Sequence, residues 1–199
     1  MKVNCNKEGI AKASEIIKNG GIIVFPTDTV YGIGCNPYDQ KAVKKIYKIK
    51  SREMSVPMPV LVFSKDVAAK IADFDGDSEK LAEKYWPGPL TLIVKLRDEK
   101  LQKSLNVKDK IALRVPDNDC VLKLLKKCNL LIGTSANISG KEPFTDPSKC
   151  YQSLKNFDLF LDGGVISGGT ASTVAEMVEG NLKIHRKGVL AEKEMMKIL

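Results

Sequence analysis

Residues 20–34 read Gly20-Gly21-Ile22-Ile23-Val24-Phe25-Pro26-Thr27-Asp28-Thr29-Val30-Tyr31-Gly32-Ile33-Gly34. An apolar strand, Ile22 to Phe25, runs straight into hydroxyl, acidic, aromatic and glycine residues. Pro26 has no N–H and stops the strand ladder. Thr27, Asp28, Thr29 and Tyr31 offer hydroxyl and carboxylate contacts, and Gly32 and Gly34 let backbone approach a ligand closely. That set suits the rim of a pocket for a small polar zwitterion. The same residues also make a plain strand-to-helix turn whose threonines satisfy backbone groups, and on this segment alone both readings stand.

Upstream, Ile10, Ala13, Ile16 and Ile17 share one helical face, and Asn19-Gly20-Gly21 ends that helix. Downstream, Asp39 is placed to cap a helix that buries Ala42, Val43, Ile46 and Tyr47. A strand, Val60 to Phe63, follows, then helices over Asp66 to Ala72 and Asp77 to Trp86, closed by Pro87-Gly88-Pro89. Strands are expected at Leu90 to Leu96, Ile111 to Val115 and Leu130 to Ile132, with a helix around Val121 to Leu125. The last third reads as a helix opened by Asp146-Pro147, a strand Leu159 to Leu161 and a glycine-rich loop through Gly163, Gly164, Gly168 and Gly169. Strands Thr173 to Met177 and Leu182 to His185 and a short helix, Ala191 to Leu199, complete it. This alternation predicts an α/β or α+β fold with a twisted mixed sheet and flanking helices. At 199 residues and 43% hydrophobic, the chain suffices for one core burying roughly 70% of its unfolded surface, and residues 1–199 are expected to form a single domain.

No stretch approaches the roughly 20 apolar residues of a membrane span, and no apolar signal core follows Met1, so a cytoplasmic protein is expected. Five cysteines, odd in number and scattered, predict neither a disulfide framework nor a zinc site. The net charge of +8 comes from 28 lysines and only four arginines: Arg52, Arg97, Arg114 and Arg186. A basic balance favours anionic partners. In a chain that uses lysine by default, arginine marks positions that need a planar, forked donor.

Several constellations follow. Lys48, Lys50 and Arg52 line one side of an extended segment if the helix has ended by Ile49, a grip for a polyphosphate; basic residues in a last helical turn also complement the helix dipole. Gly133 to Lys141 is not a Walker loop, because Ile138 stands where the second glycine is needed, and Pro37 breaks any GxGxxG reading of Gly32 to Pro37. Ser135, Asn137 and Ser139 can still meet phosphate or ribose. Arg114 and Arg186 sit at strand ends, and Gly168-Gly169 delivers Ser172-Thr173 into a strand. Arg97, beside Asp98 and Glu99, reads as a solvated turn. His185 is the only histidine, and no nucleophile elbow is visible.

Taken together and in this order, GGIIVFPTDTVYGIG, Lys50-Ser51-Arg52 with Pro57-Met58, YWPGPLTLIV from Tyr85, ALRVP from Ala112, TSANISG from Thr134, Ser172-Thr173-Val174 and the pair Arg186 and Gly188 resemble the YrdC family of L-threonylcarbamoyladenylate synthases. The resemblance implies a sheet folded around a large basic cavity. It implies that L-threonine, bicarbonate and ATP give L-threonylcarbamoyl-AMP and pyrophosphate, with Mg²⁺ carried by ATP, for threonylcarbamoyladenosine in tRNA. Carried over by position, Thr29, Tyr31, Arg114 and Ser172 are the threonine-binding set. Lys50 and Arg52 meet the triphosphate and are the catalytic residues, while Ser135, Asn137 and Arg186 hold the adenylate.

The chain departs from the family pattern at Val56, Lys110 and Asn118, which are left out of the site. The C-terminal domain of longer relatives is expected to be absent, so a separate threonylcarbamoyl transferase complex would act downstream. Contact with tRNA or double-stranded RNA is a further implied partner. The alternative to an enzyme is a non-catalytic RNA-binding module in ribosome or tRNA maturation, suggested by the basic balance.

Overall fold

The computed structural model describes residues 1–199. In chain order the elements are β1 (Lys2–Asn4), α1 (Lys7–Lys18), β2 (Ile23–Phe25), β3 (Gly32–Gly34), α2 (Gln40–Ile49), β4 (Val60–Val62), α3 (Lys65–Ile71), β5 (Ala72–Asp73), α4 (Gly76–Tyr85) and β6 (Leu90–Leu96). Then come α5 (Glu99–Leu105), β7 (Lys110–Arg114), α6 (Asp119–Cys128), β8 (Leu130–Ile132), β9 (Thr134–Ser135), α7 (Pro147–Ser153), β10 (Leu159–Asp162), β11 (Thr173–Val178), β12 (Asn181–Arg186) and α8 (Glu192–Met196).

The expected mixed α/β architecture is present, but the strands divide between two sheets. One has the order β1-β10-β2-β3-β9, and the other β12-β11-β6-β7-β4-β8 with β5 paired to β6. Both are mixed: β10 runs parallel to β2 and β11 to β6, whereas β2/β3 and β6/β7 are antiparallel. The chain passes from the second sheet to the first at Gly133, between β8 and β9.

The capping expectations hold where side chains could be assigned a task. Asp39 accepts from the N–H groups of Lys41 and Ala42 at 2.9 and 3.0 Å and so starts α2, which buries Ala42, Val43, Ile46 and Tyr47. Asn118, one of the departures from the family pattern, caps α6 by accepting from Cys120 and Val121. Lys110, another departure, pairs with Glu176 at 2.7 Å.

Two expectations are corrected. Gly32–Gly34 is a strand, not loop, and the open side of Gly34 faces protein: a Cβ there would collide with the Ile132 carbonyl oxygen, so the glycine is what lets β3 lie against β8. Cys5 and Cys120 form a disulfide across 115 residues of sequence. It joins the entry of α1 to the start of α6, where Ile10, Ala13 and Ile17 pack with Val121, Leu124 and Leu125. Spacing along the chain could not foresee it, because packing of these two helices is what brings the sulfurs together.

Candidate functional site

A hollow opens where the two sheets meet. Phe25, Thr27, Thr29, Gly32, Thr134 and Ser135 face it from the first sheet and its loops, and Leu61, Thr91 and Arg114 from β4, β6 and β7. Ala171, Ser172 and Arg186 close the remaining side, and the space between these walls, counted together with the open solvent at its mouth, is about 460 Å³.

Arg114 anchors the floor at three points. Its Nε donates to the Gly88 carbonyl at 2.9 Å, one terminal nitrogen to Thr29 Oγ1 at 3.2 Å and the other to Asp28 Oδ1 at 2.6 Å. The Pro87-Gly88-Pro89 turn therefore supplies an acceptor to the guanidinium besides ending α4. Burial lowers the Arg114 pKa, and the Asp28 charge works against that shift.

Arg186, at the end of β12, donates to the Ser172 carbonyl through Nε and a terminal nitrogen at 3.2 and 2.9 Å, and to Ser172 Oγ at 3.0 Å. Burial, then the charges of Arg114 and Arg52, lower its pKa. Arg186 thus feels the like charges of Arg114 and Arg52, and this side of the hollow is electropositive. Arg97 lies elsewhere, in an exposed pair with Asp73 at 3.0 Å, as its solvated-turn reading required.

Gly188 sets the Arg186 geometry. A Cβ there would overlap the backbone of Ala171, Ser172 and Thr173, so the chain after β12 can lie on that segment only without a side chain. Gly188→Ala is expected to cost about 1–3 kcal/mol of stability by overpacking and to pull Arg186 away from Ser172. Chemical denaturation checks this, and a loss within error would mean that the two segments separate freely.

Of the sequence-derived site residues, Thr29, Arg114, Ser135, Ser172 and Arg186 line the hollow. Arg52 stands beside it; its Nε donates to the Val56 carbonyl at 3.0 Å and a terminal nitrogen to the Pro57 carbonyl at 2.9 Å. Val56 serves through its backbone, so the side chain at that position is not what holds Arg52.

Lys50 and Asn137 sit behind the wall. α2 ends at Ile49, as the extended-segment reading needed, yet Lys48 remains exposed in the helix while Lys50 is 1% exposed. The three cations therefore do not share a face. The Lys50 ammonium donates to the carbonyls of Ser135 and Asn137 at 2.5 and 2.9 Å and to Asn137 Oδ1 at 3.3 Å. All three of its N–H groups are consumed, so Lys50 clamps the loop after β9 where a triphosphate contact was expected. The Asn137 amide donates to the Lys141 carbonyl, tying the same loop to itself.

Tyr31 is placed away from the hollow. Its ring is fully buried and stacks on Phe160 at 5.2 Å, and its hydroxyl donates to the Gly164 carbonyl at 2.7 Å and accepts from the Gly163 N–H at 3.2 Å. Burial raises its pKa. It pins the glycine-rich loop instead of lining a threonine pocket. Thr27 is likewise engaged locally, donating to the Val30 carbonyl at 2.6 Å. Thr91 was not singled out from the sequence; it lies in the apolar strand β6 with its hydroxyl 2.8 Å from Ser172 Oγ.

The fold is that of an α/β protein with a hollow between two mixed sheets, and the arginines and hydroxyls of its wall suit an anionic or zwitterionic group. His185, the only histidine, pairs with Glu176 at 2.6 Å outside the hollow. The Sua5/YciO/YrdC family model, described as telomere recombination, matches residues 15–188, and the chain belongs to that family. It is 32% identical over 193 residues to the threonylcarbamoyl-AMP synthase of Pyrococcus abyssi, an alignment spanning 94% of this chain and 56% of the relative. Against a provisionally named threonylcarbamoyl-AMP synthase of Methanocaldococcus jannaschii it is 35% identical, over 93% of this chain and 90% of the relative. The crystal structure of P. abyssi Sua5 complexed with L-threonine superposes with a TM-score of 0.89 at 30% identity, covering 100% of this chain and 59% of that one. The chain thus spans little more than half of the longer relative. No helix is long and apolar enough to cross a membrane.

Proposed function

We propose that residues 1–199 act as one catalytic unit, an L-threonylcarbamoyl-AMP synthase of the nucleotidyltransferase class, working in the cytoplasm on L-threonine, bicarbonate and ATP. The convergence of Arg114, Arg186, Thr29 and Ser172 on one hollow, with Arg52 beside it, carries this reading. Its support from relatives is the threonine-bound P. abyssi Sua5 and the synthase names of the two enzymes above.

The chemistry suits a site built from cations and hydroxyls. The threonine amine adds to the carbon of bicarbonate-derived carbon dioxide and loses a proton, giving a carbamate. A carbamate oxygen then attacks the α-phosphorus, the bond to the bridging oxygen breaks, and pyrophosphate leaves with that electron pair. No protein nucleophile is required, and catalysis is positioning plus charge stabilisation. Arg114 and Ser172 face the amino acid, and Arg52 and Arg186 the phosphates. Lys50 holds Ser135 and Asn137 in place for the adenylate.

The residues do not suit a resident divalent cation. No carboxylate lines the hollow, and the nearby Asp28 is taken by Arg114. Mg²⁺ is therefore assigned to the substrate MgATP. The product would pass to a separate transferase complex that modifies tRNA.

Protein incubated with threonine, bicarbonate, Mg²⁺ and labelled ATP is expected to release pyrophosphate only when threonine is present. Folded protein without that release would remove the proposal. Arg52→Ala should raise the KM for ATP about tenfold or more, the scale of a lost charged hydrogen bond, with little change in the KM for threonine; unchanged ATP kinetics would take Arg52 out of the site.

A further inference from the structure

We propose that Thr91 is a positioning residue for the amino-acid substrate: its hydroxyl donates to Ser172 Oγ and thereby keeps the Ser172 proton free for an oxygen of that substrate. The proposal rests on the reading of the hollow as an amino-acid site.

Thr91 stands in β6 between Leu90 and Leu92, both fully buried, and is itself 1% exposed. In this apolar part of the strand valine would fill the same volume without the cost of burying a polar group. The hydroxyl therefore calls for a partner, and its one partner is Ser172 Oγ at 2.8 Å. Both residues line the hollow.

Either hydroxyl can donate in that bond, and counting protons favours Thr91 as the donor. A guanidinium only donates, so the 3.0 Å contact from Arg186 takes one lone pair of Ser172 Oγ. If Ser172 donated to Thr91, the Thr91 hydroxyl, 1% exposed and with Ser172 Oγ as its one polar contact, would have no protein acceptor for its own proton. If Thr91 donates to Ser172, both lone pairs of Ser172 Oγ are filled and the Thr91 proton is satisfied. The single uncommitted group is then the Ser172 O–H, on the wall of the hollow beside Arg186. Such a donor seeks a carboxylate or hydroxyl oxygen. A hydroxyl accepting two hydrogen bonds, one from a cation, is also polarised toward donation.

The test compares Thr91→Val, Thr91→Ser and Ser172→Ala by threonine-dependent pyrophosphate release. Thr91→Val is expected to raise the KM for threonine about tenfold, with kcat and the KM for ATP within about twofold. Thr91→Ser, which keeps the donor, should restore the threonine KM. In a Ser172→Ala background Thr91→Val should add nothing, because the two hydroxyls act as one unit. A purely structural role would move kcat, both KM values and thermal stability together, and would give additive effects; that pattern overturns the proposal. So does an unchanged threonine KM in Thr91→Val beside a raised one in Ser172→Ala. A wild-type protein with no threonine-dependent release overturns the underlying reading of the site, a result separate from either.

Discussion

Arg114→Ala is expected to lower stability by about 3–5 kcal/mol and to abolish threonine-dependent turnover. The Asp28 side chain is 14% exposed, and Arg114, 7% exposed, is its ion-pair partner at 2.6 Å. Removing one member of a buried pair strands the other, which costs far more than the pair contributes. Arg114→Lys tests the geometry separately. The guanidinium reaches Gly88, Thr29 and Asp28 in three directions from one plane, whereas an ammonium has one nitrogen from which to reach them. The lysine variant should therefore keep most of the stability, since the charge pair survives, yet lose about 10²-fold in kcat/KM as the floor of the hollow shifts. Adding Asp28→Asn to Arg114→Met should recover part of the lost stability without recovering activity. Equal stability of Arg114→Ala and wild type in urea denaturation would show that Asp28 is satisfied by water and that the pair is not what holds the floor.

The fold was legible where a local pattern met a local cause. The stripe Ala42, Val43, Ile46 and Tyr47 with its Asp39 cap, and the apolar run Leu90 to Leu96, need no distant partner to be recognised, and they reappear as α2 and β6. What escaped depends on partners far along the chain. β3 is two glycines about one isoleucine, a poor strand by propensity, and is a strand because β2 and β9 pair with it on both sides. β9 is two residues long. Division into two sheets is a property of long-range pairing that no periodicity records. α5 is a different case, because Asp98 caps it and Leu101 and Leu105 lie four apart on its buried face; reading Arg97, Asp98 and Glu99 as a turn hid a capping signal that was present.

Arginine scarcity was the sharpest guide to the site, since Arg52, Arg114 and Arg186 gather and Arg97 stays in a solvated ion pair. Residue type misled where the same group could satisfy the protein itself. The hydroxyl of Tyr31 and the ammonium of Lys50 were read as ligand contacts; the first is spent on the Gly164 carbonyl and the second on two backbone carbonyls and the Asn137 side-chain oxygen. Thr91 left one trace only, a hydroxyl in an otherwise apolar strand, and its meaning depends on Ser172, 81 residues away.

Lys50→Met should reduce kcat/KM about 10²-fold or more while leaving every side chain on the wall of the hollow chemically intact. Methionine keeps the length of the stem but removes the donors to the Ser135 carbonyl, the Asn137 carbonyl and Asn137 Oδ1. Each oxygen left without a partner costs about 1–3 kcal/mol, so the loop relaxes toward water, and a displacement of about 1 Å in a positioning loop is enough for such a loss. The same clamp predicts a pH dependence. Burial, then the charge of Arg52, pulls the Lys50 pKa down to about 8 from the ordinary 10.5. Above pH 8 the neutral amine has two N–H groups for three acceptors, so one oxygen faces a lone pair and activity falls. Stability moves the other way. Between pH 8 and 10.5 the unfolded chain binds the Lys50 proton and the folded chain does not, so the free energy of unfolding, measured relative to Lys50→Met, rises across that window. Activity that declines near pH 8 while this stability difference grows identifies a buried clamp. A flat activity profile to pH 10, or near-wild-type turnover in Lys50→Met, would mean that the loop holds Ser135 and Asn137 without the ammonium.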